Sequence, residues 1–251
     1  MRKRVMAGNW KMYKTPAQTR AFFEAFLPLV RAVEHCEIVI CPPFSDLAAA
    51  VEAARNTRVQ IGAQNLYWVK EGAFTGEVSG PMIRSAGATQ VIIGHSERRH
   101  YFGETDEMVL KKTVAALEAG LMPIVCVGER LEQREAAQTE AVLSSQCRQG
   151  ILGLDSVQFS KIVIAYEPVW AIGTGKTATP EVAAEAHAVI RCQVRHRFGS
   201  VAAENLRILY GGSVEPDNAQ ALLAQTEIDG VLVGGASLEA ASFAKIINHQ
   251  A

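Results

Sequence analysis

Short apolar runs, rich in β-branched residues, recur along the whole of this 251-residue chain. Most of them are apolar at nearly every position, which is typical of parallel strands that are buried on both faces of a sheet. Eight such runs are present, at residues 5–7, 38–40, 59–61, 91–93, 124–126, 162–164, 208–210 and 231–233. We therefore expect eight parallel strands.

Between these runs the apolar residues return with the period of a helix. The first such segment places Phe22, Phe26 and Val30 on one stripe. The residues TPAQ at 15–18 precede this stripe and combine a capping box with proline at the first helical position. The residues TPE at 179–181 begin another helix in the same way. The chain thus alternates strands with helices.

Two architectures accommodate eight strand–helix units, an open doubly wound sheet and a closed barrel. The open sheet usually carries a G-x-G-x-x-G fingerprint after its first strand, whereas here the first run leads into GNWK at residues 8–11. We therefore expect a closed (β/α)8 barrel of eight parallel strands, as one domain over residues 1–251. In such a barrel the chemistry lies in the loops that follow the strands.

Composition and charge exclude several classes of partner. The 25 Lys and Arg residues against 26 Asp and Glu leave a net charge of −1, without the basic excess that binds nucleic acid. No apolar run reaches the roughly 18 residues that a membrane-spanning helix needs, so no membrane partner is expected. The five cysteines are dispersed and include no C-x-x-C pair. That pattern favours a reducing cytoplasm.

Asn9 and Lys11 follow the first predicted strand. If the extended geometry continues through them, they share a face while Trp10 points the other way. A lysine taken alone is more often a solvated surface residue than a ligand.

His95 follows the fourth predicted strand, and its nearness to His100 raises the possibility of a metal site. The two histidines are five residues apart, which is not the i, i+4 spacing of a helical zinc pair. No Cys/His cluster completes a ligand set, so we expect no metal.

Glu167 ends the sixth predicted strand, and Pro168 favours an extended backbone at that position. Burial of an unpaired carboxylate is costly, so a glutamate at the tip of a buried strand indicates a functional role. The alternative is a salt-bridged residue at the rim of the barrel.

Glycine pairs follow the last two predicted strands, in GGS at 211–213 and GGAS at 234–237. Exposed backbone N–H groups bind anions, and the loops after strands seven and eight are the recurrent phosphate site of this fold. The segment 169–177, with an apolar middle and glycines near its end, is typical of a hinged lid. It is not a P-loop, because Trp170 occupies a position where that motif requires glycine.

The segment from Gln64 to Gly80 is long for a loop and contains Tyr67, Trp68 and Phe74. Three large aromatic residues argue against disorder. If the chain were alone, these side chains would lie in water, so we expect a partner surface here.

Six strings together resemble the triosephosphate isomerase family, in the same order and spacing between residues 8 and 237. They are GNWKM at 8–12, GHSERR at 94–99, CVGE at 126–129, YEPVWAIGTGKTATP at 166–180, YGGSV at 210–214 and VGGAS at 233–237. The string GAFTGEVS at 72–79 resembles the dimerisation loop of that family.

The resemblance implies a cofactor-free enzyme of glycolysis and gluconeogenesis that interconverts dihydroxyacetone phosphate and glyceraldehyde 3-phosphate. It implies that Glu167 is the base, that His95 is the electrophile and that Lys11 joins them in catalysis. The implied ligands of the substrate are Asn9, Lys11, Gly173, Ser213, Gly234 and Gly235.

The same resemblance places Ser96 and Glu97 in the surroundings of His95. It also implies a homodimer formed through the 64–80 loop, with Phe74 and Thr75 at the interface.

Two other readings of the sequence remain. The glycine loops indicate phosphate binding but not a particular reaction, so another phosphate-binding barrel enzyme is one alternative. A catalytically inactive relative kept as a binding protein is the other. The set of Lys11, His95 and Glu167 favours an active enzyme that forms an enediolate, since loss of Glu167 or His95 would have indicated the inactive relative.

Overall fold

The computed structural model describes residues 2–172 and 177–249. Eight parallel strands pair in chain order and close into a barrel, as predicted. The strands are β1 (Arg4–Asn9), β2 (Cys36–Cys41), β3 (Val59–Ala63), β4 (Gln90–Ile93), β5 (Met122–Val127), β6 (Val163–Tyr166), β7 (Ile208–Tyr210) and β8 (Gly230–Val233).

The helices lie between successive strands in the sequence, and the last helix follows β8. In the described part of the chain they are α1 (Pro16–Val30), α2 (Leu47–Ala53), α3 (Gly80–Ser85), α4 (Ser96–Tyr101), α5 (Asp106–Glu118), α6 (Leu131–Glu135), α7 (Thr139–Gly150), α8 (Ser156–Phe159), α9 (Pro180–Phe198), α10 (Ser200–Asn205), α11 (Pro216–Leu223) and α12 (Ala240–Asn248). None of these helices is long and apolar enough to cross a membrane.

Two apolar layers explain why the strands are apolar at almost every position. Alternate side chains of the strands form one cluster inside the barrel, which includes Val5, Ala7, Val163 and Ala165. The intervening side chains join the helices in a second, larger cluster outside it. Side chains alternate between the two faces of a strand, and each face meets one of these apolar layers. These strands therefore lack the solvent-facing side on which an amphipathic strand carries its polar residues.

Both predicted helix starts are confirmed. Helix α1 begins at Pro16, and Gln18 Oε1 accepts a hydrogen bond from the Thr15 N–H at 2.9 Å. Helix α9 begins at Pro180, and Thr179 Oγ1 accepts one from the Val182 N–H at 3.3 Å. Each threonine or glutamine side chain satisfies one backbone donor that an uncapped helix end leaves unpaired.

The long loop after β3 is more self-contained than the sequence predicted. Tyr67 N–H donates to Val78 O at 2.8 Å, which ties the two ends of the loop together. The Tyr67 ring packs at a tilt against Trp68 and Phe74, with centroids 4.2 and 4.6 Å away. Tyr67 and Trp68 are half-buried, so the expectation that all three aromatic rings lie in water was wrong. Packing within the loop covers two of them, whereas Phe74 stays 41% exposed.

His187, on the inner face of α9, is fully buried beside Tyr166, with ring centroids 5.7 Å apart. Its Nδ1 lies 3.0 Å from Glu227 O. Burial lowers the pKa of His187 to about 3, a hydrogen bond to the Glu227 carbonyl opposes this shift, and the nearby Arg191 adds to it. The folded chain therefore resists protonation of a ring that titrates near 6.5 when it is exposed.

We expect this histidine to make the fold acid-sensitive. Because its folded pKa lies below the unfolded one, His187 costs nothing above roughly pH 6.5 and lowers stability progressively as the pH falls towards 3. Between about pH 7.5 and about pH 5 the loss is roughly 2 kcal/mol. Urea unfolding at both pH values should show that acidification destabilises His187→Gln by roughly 2 kcal/mol less than it destabilises the wild type.

His196→Gln is the matched control, since His196 is exposed on the same helix. Between the two pH values, this control should lose as much stability as the wild type. Equal losses for the wild type and His187→Gln would show that another group governs the acid sensitivity.

Candidate active site

The candidate residues lie at the carboxyl end of the barrel because of the period-two pattern of the strands. In β1 the inward side chains are Val5 and Ala7, and Asn9 continues that series. In β6 the inward side chains are Val163 and Ala165, and the series continues to Glu167. Both polar residues are therefore aimed at the top of the apolar interior, where the barrel opens.

Glu167 and His95 meet directly. His95 Nε2 lies 2.9 Å from Glu167 Oε1, and the Ser96 N–H donates to Glu167 Oε2 at 2.9 Å. The Glu167 side chain is only 2% exposed. The carboxylate is thus not the salt-bridged rim residue that the sequence left open, since it is buried and bound at both oxygens.

The backbone next to His95 favours one of its two ring nitrogens as the site of the proton. The Glu97 N–H, at the start of α4, donates to His95 Nδ1 at 3.2 Å. A proton on Nδ1 would face this N–H directly, and a helix N-terminus disfavours positive charge. Burial lowers the pKa of His95, whereas the Glu167 and Glu97 carboxylates together bring it above its ordinary value. We infer that the geometry at Nδ1 favours the neutral ring, with its one proton on Nε2.

Glu167 is a poor base in this arrangement. Burial raises the pKa of Glu167, but the His95 ring, the Ser96 N–H and Lys11 together bring it below its ordinary value. A carboxylate that accepts such hydrogen bonds holds its charge firmly. It gains basicity if it leaves these donors while it stays out of water.

Lys11 comes next to Asn9 through a turn, and not through the extended backbone that the sequence predicted. Strand β1 ends at Asn9, and Lys11 has a φ of 52°, in the left-handed region. Asn9 Oδ1 accepts the Lys11 N–H at 3.0 Å. On the other side, Gln64 Nε2 donates to Lys11 O at 2.8 Å. These two bonds hold a backbone conformation that is unusual outside glycine.

The Lys11 ammonium reaches the same region as His95. Its Nζ lies 2.6 Å from Glu97 Oε1. Asn9, Lys11, His95 and Glu97 all line one cavity of about 280 Å³. A larger cavity, of about 460 Å³ near the start of β3, lies at the other end of the barrel and contains none of these side chains.

The glycine loops after β7 and β8 border this site. A Cβ atom on Gly234 would lie 3.5 Å from Lys11 Cε, and one on Gly211 would lie 3.0 Å from Glu167 Cγ. A Cβ on Gly235 would enter open space. Ser213 is half-buried after β7. Gly173, the remaining predicted phosphate ligand, lies outside the described residues.

Glu129 is a buried residue of the site to which the sequence assigned no role. It accepts hydrogen bonds from Tyr166 Oη and Trp170 Nε1, both at 3.0 Å, and Arg134 lies 3.4 Å away. Trp170 belongs to the segment that the sequence predicts as a lid. The string CVGE marked the position, but only the folded chain brings it to Trp170.

No group of three or more His, Cys, Asp or Glu side chains with the geometry of a metal site occurs within residues 2–172 and 177–249. His95 is instead committed to Glu167 and to the backbone of α4.

A family model described as triosephosphate isomerase matches residues 4–250. The chain belongs to the triosephosphate isomerase family. A triosephosphate isomerase of Solibacter usitatus is 69% identical over 248 residues, which cover 99% of this chain and all of the relative. One of Citrifermentans bemidjiense is 54% identical over 249 residues, or 99% of each chain.

The fold agrees with that of a solved member of the family. The crystal structure of triosephosphate isomerase from Bartonella henselae matches with a TM-score of 0.89 and 38% sequence identity, over 97% of each chain. The triosephosphate isomerase barrel predicted from the sequence is therefore confirmed.

Proposed function

We propose that this chain, as a single (β/α)8 domain, interconverts dihydroxyacetone phosphate and D-glyceraldehyde 3-phosphate. Membership of the triosephosphate isomerase family supports the reaction. One observation supports the site above all others. A buried carboxylate, Glu167, lies 2.9 Å from the Nε2 of His95, while Lys11 lines the same cavity as that histidine.

The reaction moves a proton between two neighbouring carbons through an enediolate. It needs a base at carbon and hydrogen-bond donors at the oxygen where negative charge develops. We assign the base to Glu167 and the donors to His95 Nε2–H and the Lys11 ammonium, with Asn9 beside Lys11. No electrons leave the substrate and no bond to another molecule forms, so the proposed reaction uses no cofactor.

The described arrangement supports a change of partners when substrate binds. His95 Nε2 and the Ser96 N–H are both occupied by Glu167. A substrate oxygen that takes the Nε2–H displaces the carboxylate, which then turns towards carbon. Since Glu167 loses donors that lower its pKa and remains buried, its basicity rises at the moment when it is needed. Ser96 thus acts by holding the resting carboxylate, and Glu97 by holding His95 Nδ1 and Lys11 Nζ.

We assign the phosphate group of the substrate to the backbone of the last two loops, at Ser213, Gly234 and Gly235, with Gly173 from the lid. The open space at Gly235 and the closeness of Gly234 to Lys11 support this placement. The positive charge of Lys11 also stabilises a phosphate dianion at this position.

An assay with glyceraldehyde 3-phosphate tests the proposal. The purified chain should form dihydroxyacetone phosphate, detected through its reduction by a coupled dehydrogenase, without added metal or cofactor in the isomerising step. Inactivity of the well-folded chain towards both triose phosphates would overturn the proposed function. Turnover of other phosphorylated sugars instead would favour the alternative of a different phosphate-binding barrel.

We further propose a homodimer through the loop of residues 64–80, with Phe74 and Thr75 at the interface. Phe74 and Thr75 are exposed at the tip of this loop. Beside the active-site cavity, Met12 is 93% and Phe102 is 68% exposed. Two apolar surfaces of this kind are unfavourable in water, and a two-fold pair of chains covers both at once.

We also place the protein in the cytoplasm. Cys36, Cys41, Cys126 and Cys147 are buried free thiols, and Cys192 is a half-buried one. Unpaired cysteines of this kind are typical of a reducing compartment.

A further inference from the structure

Gln146, on α7, binds the backbone of Gly128 with both ends of its amide. The Gly128 N–H donates to Gln146 Oε1 at 2.7 Å, and Gln146 Nε2 donates to Gly128 O at 3.1 Å. Gly128 directly follows the last residue of β5. The glutamine amide therefore serves the peptide beyond the strand end as a neighbouring strand would, with one donor and one acceptor.

Gly128 is packed against the backbone of the proposed base. A Cβ atom on Gly128 would lie 1.7 Å from the carbonyl oxygen of Glu167, so no other residue fits without moving Glu167. The same segment pairs with the backbone around the base. The Glu167 N–H donates to Val127 O at 2.7 Å, and the Val169 N–H donates to Glu129 O at 3.1 Å.

The orientation of the Gly128 peptide and the place of Glu167 are thus linked by contact and by hydrogen bonds. Gln146 is half-buried in the wall of a cavity that Ser96 and Val169 also line. Ser96 is the donor that holds the Glu167 carboxylate. The Gln146 amide belongs to a helix outside the barrel. It therefore lies in the same cavity wall as Ser96, which holds the Glu167 carboxylate, and as Val169, where the predicted lid segment begins.

We infer that Gln146 is a positioning residue for Glu167, which acts through Gly128. This inference rests on the proposed function, in which Glu167 is the base. Without the two hydrogen bonds from the Gln146 side chain, the backbone at Gly128 can rotate, and the backbone of Glu167 then follows it. A shift of the base by about 1 Å costs on the order of 100-fold in rate while it leaves the phosphate and carbonyl contacts in place.

The experiment compares Gln146→Leu with Gln149→Leu. Gln149 is exposed on the same helix, and its amide bonds only to Ser145 Oγ, at 3.0 Å, among the hydrogen bonds of the described residues. We expect Gln146→Leu to lower kcat by roughly 10- to 100-fold. The KM and the affinity for glycerol 3-phosphate, which lacks the reacting carbonyl, should stay within about twofold of the wild type. Gln149→Leu should change none of these values.

The variant Gln146→Glu distinguishes positioning from general damage to the fold. At neutral pH the introduced carboxylate can accept from the Gly128 N–H but sets a second oxygen against the Gly128 carbonyl. Once protonated, it can donate to that carbonyl. The kcat of this variant, relative to the wild type at the same pH, should therefore rise as the pH falls from about 8 to about 5.5. A constant ratio would overturn the proposed role of the two bonds.

Amide hydrogen exchange supplies a readout that needs no catalysis. The Glu167 N–H, which is bonded to Val127 O, should exchange at least roughly tenfold faster in Gln146→Leu and at the wild-type rate in Gln149→Leu. An inactive wild type would overturn the proposed function and leave this structural coupling to be judged by exchange. Unchanged exchange, or a kcat of Gln146→Leu within threefold of the wild type, would overturn the inference itself.

Discussion

Replacement of Glu167 by glutamine should almost abolish isomerisation and leave the binding of phosphate ligands intact. The amide has the size of the carboxyl group but cannot take a proton from carbon. Loss of a positioned general base lowers turnover on the order of 10²- to 10⁴-fold or more. Measurement of kcat, together with the affinity for glycerol 3-phosphate, should therefore separate the two effects.

The surroundings of Glu167 add a second expectation for Glu167→Gln. Its carboxylate oxygens accept from two donors, His95 Nε2–H and the Ser96 N–H. A glutamine can satisfy one of them with its oxygen, but its NH₂ group then faces the other donor. The resting position of the side chain should thus be weakened in the variant.

Glu132→Gln makes the same chemical change at an exposed residue and is the control for Glu167→Gln. It should retain wild-type turnover. If Glu167→Gln kept more than a tenth of the wild-type turnover, Glu167 would not be the base.

Replacement of residues 73–77 by a short polar turn should give a folded monomer with weak activity. The change removes Phe74 and Thr75, the exposed tip of the loop. It spares the hydrogen bond between Tyr67 and Val78, which ties the loop ends together. We therefore expect the rest of the loop to keep its conformation. In the proposed homodimer, the resemblance to the family implies that this tip lies beside the partner's Asn9, the partner's Lys11 and the partner's His95.

The expected loss of activity follows from that contact. The Lys11 backbone is held in a left-handed conformation by two hydrogen bonds at the edge of an exposed cavity. Removal of a partner loop from such a place allows catalytic groups to shift, and a shift of about 1 Å costs on the order of 100-fold in rate. Sedimentation and activity should be measured on the same sample.

Val157→Ser removes an exposed apolar side chain far along the chain from the loop, and it controls for the loss of such a side chain in itself. It should leave both mass and activity unchanged. A fully active monomer from the loop variant would refute the coupling between assembly and catalysis. An unaltered dimer would place the interface elsewhere.

The sequence predicted the strands and the two helix starts well because these features depend on nearby residues. A strand that is buried on both faces must be apolar at nearly every position, so all eight runs were visible before the fold was known. The limits were less certain. Strand β1 continues through Gly8 to Asn9, and β6 begins at Val163 and not at Ile162. Backbone pairing with neighbouring strands decides such limits, and local composition does not encode it.

The sequence by itself also determined which residue types stand at the carboxyl ends of the strands. Asn9, His95 and Glu167 each follow or end an apolar run, and the closed barrel brings such positions together. Its strings were specific enough to indicate the family that the comparisons then confirmed. These conclusions needed only the order and spacing of residues along the chain.

Tertiary structure alone decided how those residues are held. Lys11 turns into a left-handed conformation, Tyr67 and Trp68 are half-buried by their own loop, and Gln146 reaches Gly128 from another element. The Ser96 N–H meets a carboxylate that is 71 residues away in sequence. Contacts of this kind arise when the barrel closes, because closure sets the distances between chain segments that no local pattern of apolar and polar residues records.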